Sequence, residues 1–209
     1  MENGFSKAMA YRHACKIFDN SKKISDEDIN FILEAGRKSP SSFGVEPWKF
    51  LVITNQELKK RLKPICWNQA QIDSCSHLVV VLSNIDCAKI QSGEPRKRLQ
   101  RRGLSDEDID FYINLYSTHL SSTLSSDENI YHWTSKQTYL ASANMMSGAA
   151  YIGIDSCPIE GFEKEKVEKL LELEPSKFQV SMLIAFGYRL NEQSKQFRKD
   201  KDEVIEFIK

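Results

Sequence analysis

The stretch that most constrains this fold is the second half of a helix predicted from about Asp127 to Ile152. From Tyr139 onward it carries no charged residue and is rich in alanine, serine and glycine. A helix without a charged face has to be covered on every side. In a chain of 209 residues, we therefore predict that this helix lies at the centre of a two-fold dimer.

A second constraint comes from the loop Ser39–Phe50, SPSSFGVEPWKF, which joins a predicted helix to a predicted strand. Two prolines fix φ and remove backbone donors, and the loop is more elaborate than a plain helix-to-strand connection requires. A rigid polar loop can present hydroxyl and N–H groups to a flat or anionic ligand. A well-made surface turn would explain the stretch equally well.

Capping residues and hydrophobic patterns predict the other elements. Ser25, Asn55 and Ser105 each precede a helical pattern and are expected to cap it. Alternating or continuous apolar runs predict strands over Lys49–Thr54, His77–Ser83, Asp155–Pro158 and Phe178–Gly187. The run that starts at His77 does not alternate, so both of its faces should be covered. Helices alternate irregularly with these strands, which predicts an α+β fold with a mixed sheet.

Near the N-terminus, a weakly helical segment from Phe5 to Ala14 leads into the run Arg12–Lys16, RHACK. On a helix, Arg12 and Lys16 would lie four residues apart on one face. Two cations in that arrangement repel each other unless solvent or an anion separates them. A solvated basic turn is the commoner explanation of such a pair.

Composition argues against several classes of protein. The 29 basic residues balance the 29 acidic ones, so the net charge recruits neither nucleic acid nor an anionic membrane. The basic run Arg96–Arg102 lacks interleaved aromatics and is interpreted as a solvated helix face. Five cysteines without a C-x-x-C motif indicate reduced thiols in the cytoplasm, and no signal peptide or membrane span is evident. Hydrolase, P-loop and dinucleotide-binding motifs are absent, and the histidines show no metal spacing.

Four motifs, in order, resemble the FMN-dependent nitroreductases of the oxygen-insensitive NAD(P)H type. They are R-H-x-x-K from Arg12, S-P-S-S-x-x-x-x-P-W from Ser39, N-x-x-x…S-H-x-V-V-V from Asn68, and P-I-E-G-F from Pro158. The resemblance runs from Ala10 to about Arg198 and is slight over residues 96–116. It implies a mixed central sheet surrounded by helices, in an intertwined homodimer with FMN at the subunit interface. The chain would be a single FMN-binding domain over residues 1–209, with a lid-like helical region at about 90–124 and a C-terminal arm at about 190–209.

The resemblance also implies which residues bind the cofactor. Arg12, His13 and Arg198 would face the FMN phosphate and Lys16 the pyrimidine edge, while the Ser39 loop would reach the flavin from the partner subunit. The full set is Arg12, His13, Ala14, Lys16, Pro40, Ser41, Ser42, Gly44, Asn68, Gln71, Pro158, Ile159, Glu160, Gly161, Lys195 and Arg198. No side chain is assigned a certain catalytic role, since the chemistry would occur at flavin N5 with support from Lys16, Glu160 and Gly161.

The implied activity is ping-pong hydride transfer from NADH or NADPH, through FMN, to nitroaromatics, quinones or similar flat acceptors. Ala14, Gly44, Gln71 and Gln196 depart from the residues frequent in the family. The family often has a lysine at the positions of Gln71 and Gln196. The absence of that cation near the flavin would lower the reduction potential of the flavin. Three alternatives therefore stay open: a specialised dehalogenase or dehydrogenase, a non-enzymatic flavin-binding or regulatory dimer, and an interaction protein that binds its partner through residues 96–102.

Overall fold

The computed structural model describes residues 4–209, apart from the side chains of residues 120 and 121, so the first three residues of the predicted domain lie outside it. Its elements are α1 (Gly4–Tyr11), α2 (Asp26–Arg37), β1 (Trp48–Ile53), α3 (Gln56–Ile65), α4 (Gln71–Ser74), β2 (His77–Asn84), α5 (Glu94–Gln100), α6 (Asp106–Thr123), α7 (Asp127–Tyr151), β3 (Asp155–Ile159), α8 (Lys164–Leu170), β4 (Phe178–Gly187) and α9 (Lys201–Val204). Short 3-10 turns span Ser42–Gly44, Asp86–Ala88 and Ile90–Ser92. Within the described range, no helix is both long and apolar enough to cross a bilayer.

The strands form one sheet in the order β1-β2-β4-β3. The α+β class is confirmed. The prediction of a mixed sheet is wrong, because all three strand pairs are antiparallel. Alternating helices and strands indicate that the strands are separated along the chain. This alternation does not indicate at which end of the sheet the chain enters the next strand. That end determines whether neighbouring strands pair in parallel or antiparallel.

The core lies on both faces of β2. All residues from His77 to Ser83 are buried, which confirms the predicted double coverage. On one face, Val80 belongs to an apolar cluster with Leu62 of α3. On the other face, Val79 packs in a cluster with Met145 of α7. Successive side chains of a strand point to opposite faces, so this one strand holds two helical layers together.

The predicted helix caps are confirmed. The Ser25 hydroxyl accepts a hydrogen bond from the Asp28 N–H at 3.1 Å, and the Asn55 side chain accepts one from the Leu58 N–H at 2.9 Å. The Ser105 hydroxyl caps α6 in the same way, at 3.1 Å. Each cap satisfies a backbone donor that the first turn of a helix leaves unpaired.

The N-terminal helix is shorter than predicted. It ends at Tyr11, so the prediction that Arg12 and Lys16 share a helix face is wrong. Ala14 instead forms a parallel bridge with Ser156. The edge of β3 offers unpaired backbone groups, and pairing with them prevails over a weak helical preference. Residues 12–16 therefore run alongside β3.

Within one chain, helix α7 is not covered on every side. Ala141, Met145 and Ala149 are buried, whereas Leu140 and Tyr151 are exposed. The prediction of all-round burial is therefore wrong for the single chain. The exposed face requires a neighbour if it is to be covered, and the predicted dimer stays a prediction at this point.

All five cysteines are free and buried. Burial raises the pKa of the Cys15 thiol to about 11 and those of Cys66, Cys75 and Cys87 to about 12. The pKa of Cys157 is also raised by burial, against the opposing charge of Lys16. The thiols are therefore protonated at neutral pH.

Candidate functional site

The Ser39–Phe50 loop is held in a strained conformation. Phe43 and Glu46 have positive φ values of 54° and 49°, and Gly44 lies between them at 59°. A left-handed backbone is unfavourable for a residue with a Cβ and persists only where its surroundings impose it. One such restraint is the Ser41 hydroxyl, which accepts a hydrogen bond from the Glu46 N–H at 2.9 Å. These contacts favour a defined loop conformation, and the rigidity of the loop stays a prediction.

Two side chains of helix α7 hold this loop in place through hydrogen bonds. The Ser42 N–H donates to the Gln137 side chain at 2.8 Å. About two turns later along α7, the Asn144 amide donates to the Ser39 hydroxyl at 2.8 Å. Pro40 is exposed between these anchors. The loop thus presents its outer surface while two α7 side chains fix its position.

The extended segment of residues 12–16 brings Lys16 to β3. The Lys16 ammonium lies 3.8 Å from the Cys157 sulfur, and Gln71 also hydrogen-bonds this sulfur. The Gln71 amide donates to the Gln69 side chain at 2.9 Å. Lys16 and Gln71, which are far apart in sequence, therefore meet at one buried thiol.

A turn at residues 67–69 interlocks with Gly161. The Gln69 amide donates to the Gly161 carbonyl at 2.7 Å. A Cβ on Gly161 would lie 2.7 Å from the Trp67 ring, so a side chain at this position would require the indole to shift. Trp67 and Asn68 both have positive φ. Sequence reasoning missed Trp67 and Gln69, for which the only indication was their position on either side of Asn68.

The end of β3 places the rest of the P-I-E-G-F motif. Ile159 is buried and Pro158 is half-buried, so neither offers much more than its backbone to a ligand. The exposed Glu160 carboxylate accepts a hydrogen bond from the Tyr139 hydroxyl at 2.6 Å. Burial, and then this carboxylate, raise the pKa of Tyr139. Glu160 is thereby tied to α7.

The C-terminal tail brings two cations to the end of α1. The Gln196 amide donates to the carbonyls of Ala10, at 3.0 Å, and Arg12. Lys195 and Arg198 flank Gln196 and are exposed. Within residues 4–209, no carboxylate forms an ion pair with Arg12, Lys195 or Arg198. The tail therefore adds positive charge beside Arg12 without neutralising it.

His13 is oriented differently from these cations. Its ring nitrogen lies 3.7 Å from the buried Asp155 carboxylate. Arg189 binds the same carboxylate through its backbone N–H and its Nε, at 2.9 and 3.0 Å. The structure thus turns the His13 ring toward a buried ion pair. Sequence reasoning missed Asp155 and Arg189, which only the fold brings together.

Apart from His13, the predicted residues form two separate groups. We call the first the β3-edge group: Arg12, Ala14, Lys16, Asn68, Gln71, Pro158, Ile159, Glu160, Gly161, Lys195 and Arg198. We call the second the loop group: Pro40, Ser41, Ser42 and Gly44. In the described part of the chain, no hydrogen bond or ion pair joins the two groups. No cluster of three metal-ligating side chains occurs among the described residues either.

Comparison of the sequence with known proteins gives consistent results. A model of the Nitroreductase family matches residues 9–188. A Haemophilus influenzae protein named "Putative NAD(P)H nitroreductase" is 43% identical over 205 residues, which cover 94% of this chain and 93% of the relative. The Bacillus subtilis protein "Putative NAD(P)H nitroreductase YfkO" is 40% identical over 216 residues and covers 96% of each chain.

Solved structures share the fold. A nitroreductase-like protein from Streptococcus mutans matches with a TM-score of 0.89 at 18% identity, over 100% of both chains. A protein from Exiguobacterium sibiricum, described as a "putative nitroreductase in complex with FMN", has a TM-score of 0.83 at 23% identity. That match covers 99% of this chain and 98% of the other. At such identities the likeness concerns the fold alone.

Proposed function

Because this chain belongs to the nitroreductase family, we propose that it is an FMN-dependent NAD(P)H oxidoreductase. The observation that carries the proposal is the unneutralised positive charge of the β3-edge group. Arg12, Lys16 and Arg198 have no carboxylate partner among the described residues. Cations that lack a carboxylate partner are available to an anionic ligand. A flavin phosphate and the electron-rich edge of a flavin ring are suitable anionic partners.

The residues present fit FMN. Arg12 and Arg198 would hold the phosphate, because guanidinium groups bind phosphate through paired hydrogen bonds. Lys195 lies three residues before Arg198 in sequence and would add charge there. Lys16 would hold the pyrimidine edge of the ring. Gly161 would offer its backbone N–H to the cofactor, because a glycine lets a ligand approach the backbone closely.

Bound FMN would supply the hydride chemistry, which connects NAD(P)H to nitroaromatics, quinones or similar flat acceptors in the two half-reactions of a ping-pong cycle. The chain itself would position the ring and stabilise charge. The Lys16 ammonium would stabilise negative charge at the ring edge, and its effect is large where water is excluded. The Tyr139 hydrogen bond would keep the Glu160 carboxylate directed toward α7.

We also propose that the site is completed by a second copy of the chain. Among the described residues, no hydrogen bond or ion pair joins the loop group to the β3-edge group, and the α7 face around Leu140 is exposed. A two-fold axis beside α7 would bury that face. In this proposal residues 1–209 are one FMN-binding domain, residues 90–124 form a lid, and residues 190–209 form an arm whose exposed Phe207 and Ile208 contact the partner.

The presence of Gln196 does not by itself favour the non-enzymatic alternative. Its amide fastens the tail to the carbonyls of Ala10 and Arg12, so the glutamine has a structural role. Lys195 and Arg198 would supply the charge that a lysine at position 196 would otherwise add. Turnover with NAD(P)H decides between the enzyme and a protein that only binds flavin.

The first test is an absorption spectrum of the purified protein. We expect a flavin band near 450 nm that NADH or NADPH bleaches without oxygen. Lys16→Gln should weaken FMN binding about tenfold or more, because one charge-assisted contact is lost. Lys22→Gln is the matched control, since Lys22 faces Asp19 at 3.4 Å on the surface. A colourless protein that ignores added FMN, or equal FMN affinity in the two variants, would overturn the proposal.

The proposed dimer has its own measurement. Light scattering coupled to size-exclusion chromatography should give twice the mass of one 24.0 kDa chain. Leu140→Glu would place a charge on the uncovered face of α7 and should shift the particle toward the single-chain mass. A native particle of single-chain mass would contradict the shared site.

A further inference from the structure

A pocket of about 620 Å³ opens between the Ser39–Phe50 loop and helices α5 and α6. Its lining includes Phe43 of the loop, Arg98 of α5, Arg101 and Arg102 just after α5, and Tyr112 and Tyr116 of α6. Cavities of a few hundred cubic ångströms commonly bind small molecules. Gly44 of the loop group also lines the pocket, and the other lining residues belong to neither of the two groups described above.

The basic run at residues 96–102 divides into two parts. Arg96 and Lys97 form ion pairs with nearby carboxylates, as the interpretation of a solvated helix face predicts. That interpretation is wrong for Arg98, whose exposed fraction is only 7%. Within the described residues, no ion pair involves Arg98, Arg101 or Arg102. The cations that line the pocket are therefore the unneutralised ones.

Two buried polar groups in this pocket lack partners. Arg98 is 7% exposed and Tyr116 is 2% exposed. The Arg98 Nε and the Tyr116 hydroxyl have no hydrogen-bond partner among the described residues. The Arg98 guanidinium lies 5.6 Å from the centre of the Tyr116 ring. Burial lowers the pKa of Arg98 and raises that of Tyr116. A buried cation without an anion is unfavourable, so these donors are suited to an anionic ligand.

Aromatic side chains complete the lining. Phe43 and Tyr112 are exposed. The Phe43 ring packs edge-on against Tyr116, with 5.3 Å between the ring centres. The positive φ of Phe43 is the strained feature that carries this ring toward α6. Exposed aromatic faces beside arginines are suited to stacking a flat heteroaromatic ring.

The charge of the pocket selects the kind of ligand. Glu46 is the one carboxylate of the described residues in its lining, against three arginines, although the whole chain has a net charge of zero. A local excess of one sign in a concave site attracts the opposite charge. The ligand should therefore combine an anionic group with a flat ring.

We propose that this pocket binds the phosphate-bearing adenosine part of a nucleotide, with phosphate on Arg98, Arg101 and Arg102 and the base against Phe43 and Tyr112. Under the proposed function, on which this assignment of the nucleotide rests, the ligand is the NAD(P)H donor. The loop that carries Phe43 also carries the loop group. A donor held here would thus contact the same loop that we propose for the flavin of the partner subunit.

Calorimetric binding of adenosine 2′,5′-bisphosphate to the purified holoprotein tests the pocket directly. The double variant R101Q/R102Q changes exposed residues and should fold. We expect it to bind the bisphosphate at least about tenfold more weakly, because charge-assisted contacts to phosphate are lost. The matched control is R96Q/K97Q, which changes the ion-paired part of the same run and should bind as the natural protein does. Adenosine without phosphate should bind equally weakly to all three proteins.

Steady-state kinetics gives the second readout. The KM for NADPH should rise at least about tenfold in R101Q/R102Q and stay unchanged in R96Q/K97Q, with equal FMN content in both. Equal affinities of the two variants for the bisphosphate would overturn the assignment of this pocket as a nucleotide site. A kinetic effect of R101Q/R102Q seen with the acceptor 4-nitrobenzoate, but not with the uncharged acceptor nitrobenzene, would also overturn the assignment. The arginines would then bind the carboxylate of the acceptor and not the phosphate of the donor.

The two proposals fail in different ways. A colourless protein whose bisphosphate binding depends on Arg101 and Arg102 would refute the flavoenzyme and support the nucleotide pocket. A yellow protein that oxidises NADPH with no dependence on these arginines would refute the pocket and support the flavoenzyme.

Discussion

Replacing Asp155 with alanine should lower the unfolding free energy by about 3 kcal/mol, within the range of about 3–5 kcal/mol typical of a broken buried ion pair. Asp155 accepts hydrogen bonds from the backbone N–H and the Nε of Arg189 at 2.9 and 3.0 Å. The Arg189 Nη2 lies 2.7 Å from the other carboxylate oxygen, as a close charge contact outside hydrogen-bond alignment. The carboxylate also faces His13 at 3.7 Å.

The magnitude follows from burial. The Asp155 side chain is 2% exposed and that of Arg189 is 21% exposed. Removing the carboxylate leaves a largely buried cation without its partner. The part of Arg189 that reaches water can recover some hydration, which places the expected loss at the lower end of the range. For a chain of this size, about 1 kcal/mol corresponds to about 2–4 °C in Tm, so Tm should fall by about 6–12 °C.

Urea denaturation followed by far-UV circular dichroism measures this loss, with Glu34→Ala as the matched control. Glu34 binds Arg37 through two hydrogen bonds of 2.6 Å, but that pair is exposed on α2. The Arg37 hydrogen bond lowers the pKa of Glu34 to about 2. Solvent screening should nevertheless leave the control variant near the natural midpoint. Equal midpoints for the two variants would refute the argument from burial.

Three further predictions concern packing, pH and the tail. Gly187→Ala should lower the stability by about 1–3 kcal/mol, because its Cβ would lie 2.7 Å from the buried Phe18 ring; an unchanged thermal midpoint would contradict this. Burial lowers the pKa of His77, so the unfolded state binds the proton first. The stabilising contribution of His77 should be complete above about pH 6.5 and lost as the pH falls through the folded pKa, and His77→Gln should flatten this slope in urea titrations. Gln196→Ala should weaken FMN binding, measured by flavin fluorescence, by releasing the tail from Arg12.

Two of these predictions have matched controls in the chain. His132→Gln changes an exposed histidine and should leave the pH slope of stability unchanged. Ser194→Ala changes an exposed residue of the same tail and should leave FMN affinity unchanged. A natural FMN affinity in Gln196→Ala would refute the proposed role of the tail.

Local features of the fold could be predicted from the sequence. The hydroxyl of Ser25 and the amide of Asn55 cap their helices as predicted, since a cap depends on residues within one turn. The double burial of β2 followed from its unbroken apolar run. Features that depend on distant partners were not predictable. The pairing of Ala14 with Ser156 shortened α1, and nothing near Ala14 in sequence indicates that partner.

In the candidate site too, local motifs were predictable from the sequence and contacts between distant residues were not. The motifs around Arg12, Lys16 and Gly161 were recognised as a resemblance, because each motif is local. The contacts that position them were not predicted. Gln69 is hydrogen-bonded to Gly161 across 92 residues, and only the folded chain brings the two together. Arg98 was interpreted as solvated because its neighbours in sequence are charged, whereas the loop of Phe43 and helix α6 bury it.

The burial of all five thiols makes each cysteine a reporter of local opening. A maleimide can reach a sulfur only while the surrounding structure is open. The rate at which it labels the cysteines would therefore report how often the core opens locally. Protonated, enclosed sulfurs are also poor nucleophiles. Electrophiles such as quinones would therefore meet no ready thiolate on the folded molecule, and alkylation would mark unfolded chains first.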